Sequence, residues 1–289
     1  MRNSILSSNI CRLAAVVLAV VLCGFAVQGQ EKTDLKDKVK DNKGFCSDYW
    51  SSSDRESFRE LREMNMTAGG TVDVDSGRNG GISIKGENRS DVLVRACVQA
   101  WGQTVDAAKA AVANVKVTTT GGIRAEGPDD SNYSVSFEIS VPRSSDLRLK
   151  AHNGGISIAS VDGTLEFETV NGGVHLGDVA GDVRGRTTNG GVNVVLTGNS
   201  WKGAGLNVET SNGGVHLSMP ETYAAAVEAG TVNGGFSSDI AALNVEKDER
   251  GRSRATKVST TINGGGAPIR VTTTNGGIRI SSSGGAVKF

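Results

Sequence analysis

The tripeptide Asn-Gly-Gly recurs along this 289-residue chain and constrains its fold more than any other feature. Six copies extend to Thr-x-Asn-Gly-Gly, and Thr120-Gly121-Gly122 resembles a degenerate further copy. The eight complete copies begin at Asn79, Asn153, Asn171, Asn189, Asn212, Asn233, Asn263 and Asn275. Such recurrence indicates an architecture assembled from many similar units.

Apolar and polar residues alternate on both sides of these copies. Ile156 and Ile158 follow one of them, and Val174 and Leu176 follow the next. A period of two is typical of β strands with one buried face. Both residues of an Asn-Gly pair tolerate positive φ, so we expect tight left-handed turns there. The predicted structural turns are Asn79-Gly80-Gly81, Asn153-Gly154-Gly155, Asn171-Gly172-Gly173, Asn189-Gly190-Gly191, Asn212-Gly213-Gly214, Asn233-Gly234-Gly235 and Asn275-Gly276-Gly277.

The spacing of the copies favours one all-β architecture. Asn153, Asn171 and Asn189 are eighteen residues apart, and second turns lie halfway, at Val161-Asp162-Gly163 and Val179-Ala180-Gly181. A constant period predicts a β-solenoid or β-helix, in which short strands of equal units stack and align like residues into ladders. The alternative is an antiparallel β-meander or sandwich, in which each Asn-Gly closes a hairpin.

One short helix is predicted on the N-terminal side of the repeats. Residues 106–115 are rich in alanine and begin with an acidic turn, which favours a helix. We expect residues 46–115 to cover one end of the stack. The final residues, 281–289, show no cap, so that end is expected to pair edge to edge with another copy or to fray.

The N-terminus has the pattern of an export signal. Arg2 and Arg12 flank an apolar run at residues 13–22, which predicts a signal peptide over residues 1–29; a lipoprotein signal at Cys23 and an uncleaved anchor are the alternatives. Residues 30–65 are interpreted as a charged tether and N-terminal segment, and 66–289 as the β-repeat domain. No later stretch is apolar enough to span a membrane, so we expect a periplasmic, outer-surface or secreted protein.

Two cysteines remain after the predicted signal, Cys46 and Cys97. An even pair in an exported protein predicts a disulfide, and two separate thiols are the alternative. Two cysteines with no histidine nearby provide only half of a zinc site.

The other candidate residues favour structural interpretations, so we predict no catalytic, cofactor-binding or metal site. His175 and His216 occupy equivalent positions after two Asn-Gly-Gly copies, two units of the predicted stack apart. That separation is about 10 Å, which is too far for one metal ion. Asp162, Asp178 and Asp182 could suggest glycoside hydrolysis, but acidic residues beside glycine also form turns, and no aromatic cluster is available beside them to bind a sugar. Basic and acidic residues balance at 31 each, which argues against a nucleic-acid binder. Trp201 lies in an insertion, where it would either anchor a partner or pack on the stack.

The order of motifs resembles a known family. Gly69-Gly-Thr-Val-Asp-Val-Asp is followed by Asn79-Gly-Gly-Ile-Ser-Ile-Lys-Gly and Val92-Leu-Val-Arg-Ala. This sequence resembles the start of the bacterial "putative adhesin" domain family, a domain of unknown function, and the likeness extends over about residues 68–280. The resemblance implies an exported β-rich repeat domain with no assigned chemistry, and it transfers no functional residues.

These observations predict an exported, non-enzymatic β-repeat protein with an adhesin-like binding or scaffold role at the cell envelope. Its partner would be a protein or a polysaccharide, contacted through many weak contacts or by strand addition. An envelope-stress regulatory or structural protein is one alternative. A carbohydrate-active β-helix enzyme is another.

Overall fold

A computed structural model of the protein describes residues 44–47, 55–128, 132–243 and 256–283. The predicted signal peptide and most of the charged tether lie outside these residues. The strands are β1 Glu56–Thr67, β2 Val72–Asp75, β3 Ile82–Glu87, β4 Asp91–Gly102, β5 Lys116–Thr118, β6 Ile123–Glu126, β7 Tyr133–Pro142, β8 Leu147–Asn153, β9 Ile156–Ala159, β10 Asp162–Asn171, β11 Val174–Gly177, β12 Ala180–Asn189, β13 Val192–Val195, β14 Gly205–Asn212, β15 Val215–Met219, β16 Ala225–Asn233, β17 Phe236–Ser238, β18 Lys257–Ile262, β19 Pro268–Asn275 and β20 Ile278–Ser282. Helix α1 spans Val105–Asn114, and a 3-10 turn spans Ala241–Leu243.

The strands form two ten-stranded sheets. Sheet I has the order β1-β4-β7-β3-β9-β11-β13-β15-β20-β17, and sheet II has the order β18-β16-β19-β14-β12-β10-β8-β2-β6-β5. Each repeat contributes one strand to sheet II, crosses an Asn-Gly-Gly corner, and contributes the next strand to sheet I. We call this unit a rung. Neighbouring rungs pair in parallel, as when β10 pairs with β12.

The parallel register confirms the β-solenoid prediction and shows that the antiparallel meander is wrong for the repeats. Thr169 lies beside Thr187, and Asn171 lies beside Asn189. Inward-facing aliphatic residues from both sheets, such as Leu165 and Leu176, are fully buried. They form the core between the sheets, as the alternation of apolar residues predicts.

The corners use glycine for a different reason from the one predicted. Of the twenty-one residues in the seven predicted turns, only Gly80 has φ in the left-handed region, at +138°. A Cβ on Gly172 would instead lie 2.0 Å from the carbonyl oxygen of Gly154 in the neighbouring rung. A Cβ on the first glycine of any of the seven corners would likewise lie only 1.9–2.1 Å from a neighbouring backbone carbonyl oxygen. Close stacking of backbones therefore requires glycine at these positions, and positive φ adds to the requirement only at Gly80.

Threonine and asparagine side chains join the corners into two ladders. The buried hydroxyl of Thr187 donates to the carbonyl of Gly172, 2.8 Å away, and Thr169, Thr210, Thr231 and Thr273 make the equivalent bond. The amide of each corner asparagine donates to the side-chain oxygen of the next asparagine. In spatial order this ladder runs Asn233, Asn275, Asn212, Asn189, Asn171, Asn153, Asn79, with separations of 2.8–3.0 Å.

Two copies of the motif, both outside the seven predicted turns, do not form corners between the sheets. Asn263, at φ +49°, begins a reversal between β18 and β19, which both belong to sheet II. Thr120-Gly121-Gly122 closes the hairpin between β5 and β6. Both segments join an antiparallel strand to its sheet, so the backbone must turn back within that sheet instead of crossing to the other.

The rungs do not stack in the order of the sequence. The last rung, β19–β20, lies between β14–β15 and β16–β17, and pairs in parallel with both. Ser281 and Ser282 therefore belong to an interior strand, so the expectation that this segment ends the stack is wrong. Residues 284–289 lie outside the described part of the protein.

The N-terminal side of the stack is covered by antiparallel strands and the helix. Strands β4 and β1 extend sheet I beyond β7, and α1 begins after Thr104, whose side chain accepts a hydrogen bond from the Ala107 N–H. Arg62 on β1 donates to the carbonyls of Val112 and Val115 at the helix C-terminus. A disulfide joins Cys46 to Cys97 on β4, with the Cα atoms 5.5 Å apart. Since β1 starts at Glu56, part of the predicted N-terminal segment belongs to sheet I.

Candidate functional site

The outer face of sheet II carries charged side chains in rows of alternating sign. We call this surface the charged face. Since side chains alternate along a strand, most of the central strands expose two outward positions separated by two residues. The rows, in spatial order from β6 to β16, are Arg124; Asp73 and Asp75; Arg148 and Lys150; Glu166 and Glu168; Arg184 and Arg186; Asn207 and Glu209; Arg270; and Glu228.

Ion pairs connect neighbouring rows across the strands. Arg148 lies 3.2 Å from Glu166, and Arg186 lies 2.9 Å from Glu168. These side chains remain 46–63% exposed, so each pair contributes at most about 1 kcal/mol to stability. The rows therefore define a patterned surface more than they stabilise the fold.

The pair Arg270–Glu228 belongs to the same pattern. The Arg270 Nε atom donates to the Glu228 carboxylate at 2.9 Å. This hydrogen bond, with the attraction between the charges, lowers the pKa of Glu228 and raises the pKa of Arg270. Rung β19–β20 thus places its arginine between two rungs that carry acidic residues.

A shallow groove of about 550 Å³ crosses the charged face from β6 to β14. Its lining alternates between acidic and basic side chains, and Leu149 and Phe167 beneath it are buried. A partner lying across the strands would meet charges of opposite sign every ~4.8 Å. The charged face therefore has a regular charge pattern that the repeated charges of an extended polymer would complement.

The second turns form a cleft that contains two of the candidate acids. Asp162 and Asp178 both line it, together with Trp201 and Tyr223. Two aromatic residues thus lie near these aspartates, but both are buried. An insertion between β13 and β14 brings Trp201 to this position from another rung, and one between β15 and β16 brings Tyr223.

The side chains in the cleft are engaged in structural contacts. Asp178, at φ +51°, accepts hydrogen bonds from Thr197 at 2.6 Å and Ser160 at 3.2 Å. Trp201 is 7% exposed and donates its indole N–H to the Gly181 carbonyl. Burial raises the pKa of Tyr223 to about 12. This geometry closes the turn around Asp178 and leaves little aromatic surface for a sugar to stack on.

The remaining candidate residues are separated. Asp182 pairs with Arg184 at 2.9 Å and does not line the cleft with Asp162 and Asp178. His175 and His216 lie two rungs apart on sheet I, on either side of Asn193. Within the described ranges, no group of three or more His, Cys, Asp or Glu side chains could hold a metal ion.

Sequence reasoning missed the charged face, although its signal is present in the repeats. The residues five and three positions before the corner asparagine carry the rows. They are basic before Asn153, acidic before Asn171 and basic again before Asn189. Comparing these two positions between copies would have revealed the alternation.

Comparisons with known proteins identify the domain. Residues 69–281 match the family described as Toastrack DUF4097. None of the curated proteins matches this sequence. Among the described residues, no helix has the length and apolar character needed to cross a membrane.

Three solved structures resemble this protein at low identity. The first is a "putative cell adhesion protein" from Clostridium sporogenes, with 11% identity, a TM-score of 0.39, and coverage of 79% of this chain and 100% of that chain. The second is a "putative adhesin" from Bacteroides fragilis, with 10% identity, a TM-score of 0.32, and coverage of 78% and 97%. The third is a "putative lipid binding protein" from Parabacteroides distasonis, with 8% identity, a TM-score of 0.26, and coverage of 78% and 97%. At these scores, the likenesses carry no argument about function.

Proposed function

Because the chain belongs to the Toastrack DUF4097 family, a family named without an activity, we propose its function from its own surface: it is an exported, non-catalytic β-repeat protein that binds or scaffolds a partner at the cell envelope. The export signal predicted over residues 1–29 supports the location. The charged face of sheet II is the binding surface in this proposal. The partner is an extended protein or polysaccharide that carries charged groups.

The observation that carries the proposal is the regular alternation of charged rows. Rows of like sign recur every two rungs, about 10 Å apart, across a surface formed by regular strands. A rigid periodic surface suits a polymer with repeated charges, because each contact adds to the others without new loss of translational freedom. Such binding weakens as salt screens the exposed charges.

A retention assay tests the proposal. The purified mature protein is applied to immobilised peptidoglycan and to envelope membrane fractions, at low salt and then above about 0.15 M ionic strength. We expect salt-sensitive retention of the wild type and loss of retention in the double variant Arg184→Gln/Arg186→Gln. The matched control is Lys85→Gln/Arg279→Gln, which removes two charges from the outer face of sheet I and should bind as the wild type does.

Two results would count against this function. Either the wild-type protein is retained by none of these fractions, or the sheet I control loses as much retention as the charged-face variant. In the second case, net charge and not the charged face would account for the binding.

The cleft at the second turns supports a second candidate, a carbohydrate-active enzyme. The observation in its favour is that Asp162 and Asp178 line the same cleft. Turnover of a polysaccharide by the wild type, abolished in Asp162→Asn or Asp178→Asn variants that fold normally, would favour the enzyme. An envelope-stress regulatory role remains a further alternative, to be judged from the partner that the retention assay captures.

A further inference from the structure

The asparagine ladder has one open end, and that end is Asn233. At the other six corners the side-chain oxygen accepts a hydrogen bond from the next asparagine along the stack. Asn233 donates to Asn275 at 2.8 Å, but among the described residues no asparagine lies beyond it. In the part of the protein that the structure describes, no hydrogen bond reaches the side-chain oxygen of Asn233, and the residue is exposed.

The following glycine is also unpaired at this corner. At five corners the first glycine donates its backbone N–H to the carbonyl of the neighbouring asparagine, as when Gly190 donates to Asn212 at 3.0 Å. Neither Gly234 nor Gly154 has this bond among the described residues. However, the Asn153 side chain is held on both sides, by Asn79 and Asn171. Only the Asn233-Gly234 corner, within the described ranges, lacks both restraints.

These two restraints are the ones that oppose a known reaction of Asn-Gly pairs. The backbone nitrogen of the glycine loses its proton and attacks Cγ of the asparagine. A new bond forms between that nitrogen and Cγ, the bond from Cγ to the amide nitrogen Nδ2 breaks, and ammonia leaves with the proton. Water then opens the succinimide at either carbonyl and gives aspartate or isoaspartate. A hydrogen-bonded glycine N–H and a fixed amide both slow the attack, since each bond must open first.

We propose that Asn233 is a modification site, at which the folded protein forms a succinimide and converts to aspartate or isoaspartate. The chemistry needs only water as co-reactant. The product carboxylate at position 233 has no proton to donate to the Asn275 oxygen, so the last bond of the ladder is lost. Isoaspartate also lengthens the backbone by one methylene, where a Cβ on Gly234 would already lie 1.9 Å from the carbonyl oxygen of Gly276. The modification therefore loosens the terminal rung, β16–β17.

Asn263 provides an internal comparison, because Gly264 also follows it. Its side-chain amide donates to the carbonyls of Glu221 at 2.7 Å and Tyr223 at 2.9 Å. These bonds hold the amide away from its own backbone. The folded protein should therefore protect Asn263 although it lies outside the ladder.

The experiment measures deamidation at every Asn-Gly pair of the full-length protein. The native protein and the same protein held unfolded in denaturant are incubated at mildly alkaline pH, and peptide mapping by mass spectrometry gives a rate for each site. Dividing the native rate by the unfolded rate removes the effect of neighbouring residues. We expect this ratio to be at least about tenfold higher at Asn233 than at Asn171, Asn189 or Asn212, because two hydrogen bonds are missing. Equal ratios would overturn the proposal, and so would an unmodified Asn233 in native protein after the unfolded protein has reacted fully.

The variant Asn212→Ala tests the cause in a second way. It removes the amide that donates to the Asn189 oxygen and leaves the backbone bond from Gly190 in place. Deamidation at Asn189 should then rise about fivefold, while the rate at Asn263 stays constant. No rise at Asn189 would show that the ladder does not protect its members.

Discussion

Replacing either of two adjacent corner glycines with alanine should show whether close backbone stacking is the reason that the corners require glycine. In the variant Gly172→Ala, the new Cβ would lie 2.0 Å from the carbonyl oxygen and 2.4 Å from the carbonyl carbon of Gly154. In Gly173→Ala, the nearest atom is the Gly191 carbonyl oxygen at 3.5 Å, an ordinary contact. Neither glycine has φ in the left-handed region.

The cost of Gly172→Ala follows from what must move. Backbone atoms of the neighbouring rung have to shift by more than about 1 Å, and overpacking of this kind costs about 1–3 kcal/mol. The shift also disturbs two hydrogen bonds, from Gly172 to the Asn189 carbonyl and from Thr187 to the Gly172 carbonyl, each worth about 1 kcal/mol. We expect a total of about 3–5 kcal/mol, whereas Gly173→Ala should stay within about 1 kcal/mol of the wild type.

Thermal unfolding followed by circular dichroism measures this difference. For a domain of this size, about 3–5 kcal/mol corresponds to a fall in Tm of about 6–20 °C. Denaturant titration of both variants checks that the m-value is unchanged. The reasoning is refuted if the two variants have the same stability, or if Gly173→Ala is the more damaging substitution.

Three further predictions concern the cap, the threonine ladder and the charged face. Replacing both Cys46 and Cys97 with serine removes a disulfide between residues 51 positions apart and should lower the free energy of unfolding by about 4 kcal/mol. A loss below about 1 kcal/mol in a denaturant titration would contradict this. Thr187→Val removes the buried hydroxyl that donates to the Gly172 carbonyl and should cost about 1–3 kcal/mol. Thr261→Val, at an exposed position, should be neutral; equal costs would argue against the ladder. Arg270 lowers the pKa of Glu228 from its ordinary value of 4.5, so the stability that this pair contributes is complete above pH 4.5 and is lost as the pH falls through the lowered pKa. Arg270→Gln should therefore flatten the acid side of a plot of stability against pH, and an unchanged plot would contradict the pairing.

The solenoid could be predicted from the sequence because its strongest signals are local. The eighteen-residue period and the alternation around Asn171 and Asn189 fix strand length, turn position and buried face together. The helix was predicted over residues 106–115 and is found at Val105–Asn114. These features depend on short-range pattern, which a single sequence displays directly.

The reason for glycine at the corners could not be read from local pattern. Positive φ is the usual explanation for an Asn-Gly pair, but here the constraint comes from the carbonyl of another rung. Similarly, Trp201 and Tyr223 reach the cleft of Asp162 and Asp178 through insertions in later rungs. Contacts between rungs cannot be predicted until the stacking distance and the register of the strands are known.

The spatial order of the rungs was also not predicted from the sequence, although the charged residues on sheet II are consistent with that order and not with the sequence order. In sequence order, the acidic residue Glu209 is followed by the acidic residue Glu228, and only then by Arg270. In the stack, Arg270 lies between the two acidic rungs and the alternation of the charged face continues. The surface pattern therefore agrees with the spatial order and disagrees with the sequence order.

Cysteine cross-linking tests this stacking most directly. Asn207 on β14 and Arg270 on β19 are registered neighbours, which places their Cα atoms about 5 Å apart, within the range that a disulfide bridges. Glu228 on β16 lies one rung farther from Asn207, about 10 Å away, which is beyond that range. The account predicts an intramolecular disulfide in the variant Asn207→Cys/Arg270→Cys and none in Asn207→Cys/Glu228→Cys; the reverse result would contradict it.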